Sequence, residues 1–157
     1  MENVETSRIE LLIGLALLAI VCSIGFVNMR AARISANENA AIAVVGQINR
    51  AQAAYIRMYP QAGFTTLAAL GGTVPCTPSP STACILDQAT SSGRKNGYAF
   101  NVTIATPKEM YAYAAHAAPL QCGLTGVRTF FSDQSRLIRY KQTDECEAAD
   151  RKSPPLP

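Results

Sequence analysis

Residues 9–29 read IELLIGLALLAIVCSIGFVNM, and residues 30–58 continue as RAARISANENAAIAVVGQINRAQAAYIRM. The first stretch holds 21 residues, of which Glu10 alone is charged. At ~1.5 Å per residue it makes about 31 Å of helix, the thickness of a bilayer's hydrocarbon core. A buried core helix would need a domain able to surround it, and what remains of the chain is too small for that. A single-pass anchor is therefore expected. The second stretch has no Pro and one Gly, Gly46, and is rich in good helix formers. On a helical wheel Ile34, Ala41, Val45, Ile48 and Tyr55 share an arc of about 80°. Asn37 and Gln52 interrupt that arc. Pro60 ends the run. One helix of ~80 Å is predicted from Thr6 to Met58, and its exposed part must meet lipid or other copies of itself.

The whole chain is 157 residues, 48% hydrophobic and 16% charged, which excludes a disordered, solvating polypeptide. A net charge of +3 does not indicate nucleic acid as a partner. With one His in the chain and no nucleophile elbow, phosphate loop or zinc-protease motif, the sequence reads as non-enzymatic. No catalytic residue, cofactor site or metal site is assigned. The expected organisation is a leader at 1–5, a membrane-spanning half-helix at 6–29 and an amphipathic half-helix at 30–59. A head at 60–141 and a loose, mixed-charge tail at 142–157 follow.

Five cysteines occur. Cys22 falls in the apolar span and reads as a small packing residue. Cys76, Cys84, Cys122 and Cys146 suit two disulfides in an oxidising compartment. Of three connectivities, Cys76–Cys84 with Cys122–Cys146 closes two local loops, for which the loop-entropy model gives ~2.6 and ~3.5 kcal/mol. Structural zinc is disfavoured, since there is no paired C-x-x-C and the lone imidazole is His116.

Residues 60–97 are rich in Gly, Pro, Ser and Thr and read as an irregular connection with a short helical turn at Thr66–Leu70. From Tyr98 the period becomes two: Tyr98, Phe100, Val102 and Ile104 alternate with smaller or polar residues, as in a half-buried strand. Further strands are expected at residues 110–115, 127–131 and 137–140, with a turn at 132–135. The antiparallel meander at 98–141 should pack on the Ile34/Val45/Tyr55 side of the helix, an α+β arrangement. His116 is read as a surface or strand-end residue, Asp133 as a turn former, and Thr65, Thr66, Ser91 and Ser92 as loop polars.

Thr6-Ser7-Arg8-Ile9-Glu10-Leu11-Leu12, leading into an apolar span and an Ala-rich helix, resembles the amino-terminal region of type IV pilins and type II secretion pseudopilins. Leu67-Ala68-Ala69-Leu70-Gly71-Gly72, the Cys76/Cys84 pair, Gly97-Tyr98-Ala99-Phe100 and Phe130-Phe131-Ser132-Asp133-Gln134-Ser135 resemble G-type members of that family. The resemblance covers residues 6–141. It implies a pilin-like fold and a subunit that assembles into a helical filament. It also implies that Glu10 pairs with a positive group on a neighbouring copy, as a carboxylate in a packed apolar bundle requires. Partners implied are further copies, related pilin-like subunits, an inner-membrane platform and a cytoplasmic ATPase.

The candidate processing junction lies between Glu5 and Thr6, where the family usually has Gly and Phe. Arg8 stands where Leu is usual, and Val27 where Pro is common. Two readings of Arg8 remain open, a partner in trans for Glu10 or a cation snorkelling to lipid headgroups. Small residues Gly14, Ala16, Ala19 and Gly25 would pack neighbouring stalks. Arg30 and Arg33 after the span favour a cytoplasmic head, but the cysteines favour the periplasmic side and carry more weight. The alternative function is a membrane-tethered binding module, for example for DNA uptake, using Arg94, Lys95, Arg136, Arg139 and Lys141.

Overall fold

The computed structural model describes residues 2–104 and 112–157, and of residues 2–9 and 19–27 it describes the backbone alone. The order of elements is α1 (Glu2–Met58), α2 (Leu67–Leu70), α3 (Gln88–Ser91), β1 (Arg94–Lys95), β2 (Tyr98–Ile104), β3 (Tyr113–Pro119), β4 (Arg128–Asp133) and β5 (Arg139–Gln142). Contacts divide the chain into two units, Met1–Arg33 and Ile34–Pro157. The protein is α+β, and helix α1 begins within the segment expected to be a separate leader.

In the second unit the strands form one antiparallel sheet in the order β1-β2-β3-β4-β5. The middle of the predicted arc faces it: Ala41, Val45 and Ile48, with Val44 beside them, join Tyr98, Phe100, Val102, Tyr113, Ala115, Ala117 and Phe130 in one core, which Ile34 and Tyr55 at the ends of the arc do not enter. Ala115 and Ala117 of β3 are 0% and 1% exposed. Side chains that small at the centre of the sheet let a helix backbone come close, so the bulk is supplied by the flanking aromatics. A second cluster joins Ala51 and Tyr55 to Leu70 and Ala83. The Tyr55 hydroxyl also donates to Pro80 O at 2.8 Å, tying the loop closed by Cys76–Cys84 to the helix.

Element β2 agrees with the period-two reading, and α2 begins as expected with Thr66 as its N-cap. Four corrections follow. First, β3 runs from Tyr113 to Pro119 instead of over 110–115, paired Ile104↔Tyr113 through Tyr98↔Pro119. Its alanines carry little strand propensity, so the register comes from pairing with β2. Of the expected strand, residues 110 and 111 lie outside the described residues.

Second, β4 continues through Ser132 and Asp133, and β5 begins at Arg139. Ser132 Oγ donates to Leu137 O at 3.1 Å, which holds 134–138 as a wider loop. Asp133 still forms the turn, accepting from Ser135 N at 2.9 Å.

Third, residues 60–97 are more regular than expected. Asp87 caps α3, and β1–β2 is a two-residue hairpin through Asn96 and Gly97, with φ of 49° and 76°. An Asn-Gly pair is a strong short-range signal for that turn, because both positions need positive φ.

Fourth, the tail is not loose. Tyr140 N donates to Pro154 O at 3.0 Å and Leu156 N to Ile138 O at 2.9 Å, along the free edge of β5. Ala149 and Ser153 are buried, and Leu156 packs against the main core. Prolines 154, 155 and 157 add no further donors on that edge, which protects it from pairing with another chain.

Candidate functional site

In the first unit every residue from Glu10 to Leu18 is exposed. Leu11, Leu12, Ile13, Leu15, Leu17 and Leu18 have between 55% and 65% of their surface open. Successive helical residues are 100° apart, so this run is apolar around its whole circumference, with Glu10 at its start. Gly14 and Ala16 are exposed within it. Nothing among the described residues lies within 4 Å of where a Cβ on Gly14 would sit. Glu5, Thr6 and Arg8 belong to the backbone of α1, but their side chains, like those of Ala19, Cys22 and Gly25, lie outside the described residues. The pairing of Arg8 with Glu10 is therefore not placed. Among the described residues no helix is long and apolar enough to cross a membrane; the side chains of 19–27, the later part of the expected span, lie outside the described residues.

In the second unit α1 is latched to the sheet by polar side chains on its inner face. Glu38, 4% exposed, accepts from Val127 N at 2.9 Å and Arg128 N at 3.1 Å through Oε1. Its Oε2 accepts from Arg128 Nε at 2.7 Å. The Arg128 guanidinium lies 5.7 Å from the Phe130 ring centre and 5.8 Å from that of Tyr140. Asn37 donates to Thr125 O. Asn49 donates to Ser132 Oγ at 2.9 Å and accepts from the Tyr113 hydroxyl at 2.8 Å. Burial raises the Tyr113 phenol to about 12, with the charge of Asp133 adding to the effect, so it stays a donor. Gln52 imitates a strand partner, donating to Thr65 O and accepting from Thr65 N.

Of these latch residues, Asn37 and Gln52 stand out in the sequence as breaks in the apolar arc; Glu38 and Asn49 carry no motif. The usable signal was polarity on an otherwise apolar helix face, since a buried polar group requires a partner. Gly126 completes the same corner: a Cβ there would lie 2.1 Å from the Tyr98 hydroxyl, which donates to Arg128 O.

Both predicted disulfides are present, Cys76–Cys84 and Cys122–Cys146, with Cα separations of 6.0 and 5.8 Å. Among the described residues no group of three or more His, Cys, Asp or Glu could hold a metal ion. His116 is not at a strand end. It is central in β3 and half-buried, facing away from α1, with its ring 5.1 Å from that of Phe131. The tail covers this second face of the sheet. Thr129 Oγ1 donates to Glu147 O at 2.6 Å, and Arg151 Nε lies 3.0 Å from Asp133 Oδ2.

Burial holds the His116 imidazole below its ordinary pKa of 6.5, against a hydrogen bond with the Ala149 backbone that raises it. The unfolded chain therefore binds a proton near pH 6.5 while the folded one resists it, so stability must fall as pH drops from 7 to 5. His116→Asn is expected to flatten that segment of a denaturation-against-pH curve. Asp133 acts in a lower window: burial raises its pKa, but bonds from Ser135 and the charges of Arg151 and Arg139 outweigh it and hold the carboxyl below 3.8.

Most of the cations considered for nucleic acid are engaged within the molecule. Lys95 contacts Asp87 Oδ2 at 3.1 Å and Thr90 Oγ1 at 2.9 Å, Arg139 donates to Ser153 O, and Lys141 pairs with Glu147. Arg94 and Arg136 are exposed.

The fold and its latch define a class of architecture: an α+β protein whose long helix seats its later turns on a five-stranded antiparallel meander closed by two disulfides. No family model, curated protein or solved structure matches the chain.

Proposed function

We propose that this chain is a structural subunit of a type IV pilus or type II secretion pseudopilus. The observation that carries the reading is the run from Glu10 to Leu18, apolar on all sides, exposed, and interrupted by no charge after Glu10. Water does not tolerate such a surface in a lone molecule; lipid or sister helices do. Before assembly residues 6–29 sit in the inner membrane and the disulfide-bonded head lies in the periplasm. During assembly an inner-membrane platform and its ATPase draw the helix into a stack, exchanging lipid contacts for contacts between copies and with related subunits. Glu10 enters that stack opposite a positive group, supplied by a neighbour's amino terminus if the chain is cut before Thr6, or by Arg8 if it is not. The fold needed is pilin-like: a long helix, a sheet packed on its second half, and disulfides bracing a small head. No enzymatic step, cofactor or metal enters the proposal.

The tethered binding module is less well supported, because Lys95, Arg139 and Lys141 are committed to partners inside the head.

Replacing Glu10 by Ala tests the reading in cells that assemble the protein. Sheared-surface and membrane fractions should show at least about a tenfold loss of assembled material, since ~1.4 kcal/mol per contact already gives that factor. Undiminished assembly of the Glu10→Ala chain would overturn the proposal. Intact mass of the same fractions reads out cleavage before Thr6.

A further inference from the structure

Two surfaces at opposite ends of the Ile34–Pro157 unit complement each other. The first is a cleft of about 300 Å³ beside the last turns of α1, at the lower limit of pockets that hold a ligand or an anchoring side chain. Its apolar wall comes from Ile56, Phe64 and Tyr113, with the Phe64 and Tyr113 rings edge to face at 4.6 Å. Arg57 and Arg136 flank it, both exposed. Lys95, Arg128, Lys141 and Arg151 each hold a carboxylate; among the described residues neither cleft arginine does.

The second surface is a knob on the corner closed by Cys122–Cys146. Leu120 and Leu124 are 46% and 49% exposed there. The turn from Thr143 to Cys146, closed by Cys146 N donating to Thr143 O, adds exposed Asp144 and Glu145. Neither of these acids forms an ion pair among the described residues, whereas Glu147 beside them is held by Lys141. Asn37 of α1 binds Thr125 at the knob end, and Arg57 lines the cleft. Twenty residues of helix separate them, so the two surfaces stand about 30 Å apart along α1.

We propose that the head docks onto a second copy of itself head to tail, the leucine knob of one copy entering the cleft of the next while Asp144 and Glu145 meet Arg57 and Arg136. An apolar projection flanked by acids fits an apolar recess flanked by guanidiniums in both shape and sign. Because knob and cleft lie at different ends, the contact is heterologous. It leaves a free knob and a free cleft after every addition, which is the condition for an open filament instead of a closed dimer. This deepens the subunit reading and rests on it only for the claim that copies meet.

The test uses the full chain in detergent micelles, with association followed by sedimentation at low ionic strength. Reversing the cleft (Arg57→Glu with Arg136→Glu) or the knob (Asp144→Arg with Glu145→Arg) is expected to weaken association about tenfold. Mixing the two reversed proteins restores it, since each then presents the other with a matched pair. All four positions are exposed, and unchanged near-ultraviolet circular dichroism confirms that the heads are folded. Undiminished association of either reversed protein, or a mixture that stays apart, overturns the docking proposal. A Glu10→Ala chain run alongside separates the two ideas. If it associates normally and the charge-reversal pattern holds, the helix reading fails and head docking stands. If it alone loses association, the helix reading stands and head docking fails. A wild-type chain that never associates overturns both.

Discussion

Glu38→Ala is expected to lower the stability of the head by about 3–5 kcal/mol, the range for removing one partner of a buried ion pair. Three donors lose their acceptor together: the backbone N–H groups of Val127 and Arg128 and the Arg128 guanidinium. Arg128 retains 26% side-chain exposure, so water re-solvates part of the guanidinium and the lower half of the range applies. Glu38→Gln keeps an oxygen for the two backbone donors but turns an amide NH2 toward the Arg128 guanidinium, losing the charge-assisted bond and setting donor against donor, so it should cost less than Ala, about 2 kcal/mol. Urea denaturation in detergent, read by the near-ultraviolet tyrosine signal since the chain has no Trp, gives both values. Equal effects from Ala and Gln would mean that the charge, and not the backbone clamp, is what matters.

Converting Cys122 and Cys146 together to Ser should cost about 3.5 kcal/mol, from the entropy of a loop spanning 24 residues. Converting Cys76 and Cys84 should cost about 2.6 kcal/mol, since their separation is 8. The larger loop also carries β4 and β5, and its closure positions the start of the segment that covers His116 and Phe131. Loss of Cys122–Cys146 is therefore expected to flatten the pH dependence attributed to His116 as well, because an uncovered imidazole is hydrated in both states. Loss of Cys76–Cys84 should leave that pH dependence in place. Denaturation curves of both variants at pH 7 and pH 5 separate the two outcomes.

The difference between the expected and observed tail has a plain cause. Residues 142–157 mix charge and proline, which reads as a segment unable to form a core of its own. It does not form one; it borrows a surface. The outer face of β3 and β4 presents His116, Thr129, Phe131 and Asp133, and the tail meets them with backbone groups of Glu147 and Ala149 and the Arg151 guanidinium, while Leu156 packs against the main core. No periodicity inside the tail encodes those partners, because they lie on strands distant in sequence. The same holds for Glu38 and Asn49, whose roles depend on which loop and which serine the sheet brings over them.

Local chemistry written along the chain was sufficient for much of the rest. The run without proline ending at Pro60, the apolar arc through Ala41, Val45, Ile48 and Tyr55, the alternation from Tyr98 to Ile104 and the short Cys76–Cys84 loop are all set by neighbours within a few turns or a single strand. Their structures follow from periodicity and loop entropy alone. Tertiary structure decided the register of β3, whose alanines have no strong preference, the burial of His116, the seating of the tail, and the partners of the polar residues on the inner face of α1. Each is a pairing between different segments, which for the polar residues of α1 lie from 13 residues apart for Gln52 and Thr65 to 90 for Glu38 and Arg128, and only the folded chain brings the two partners together.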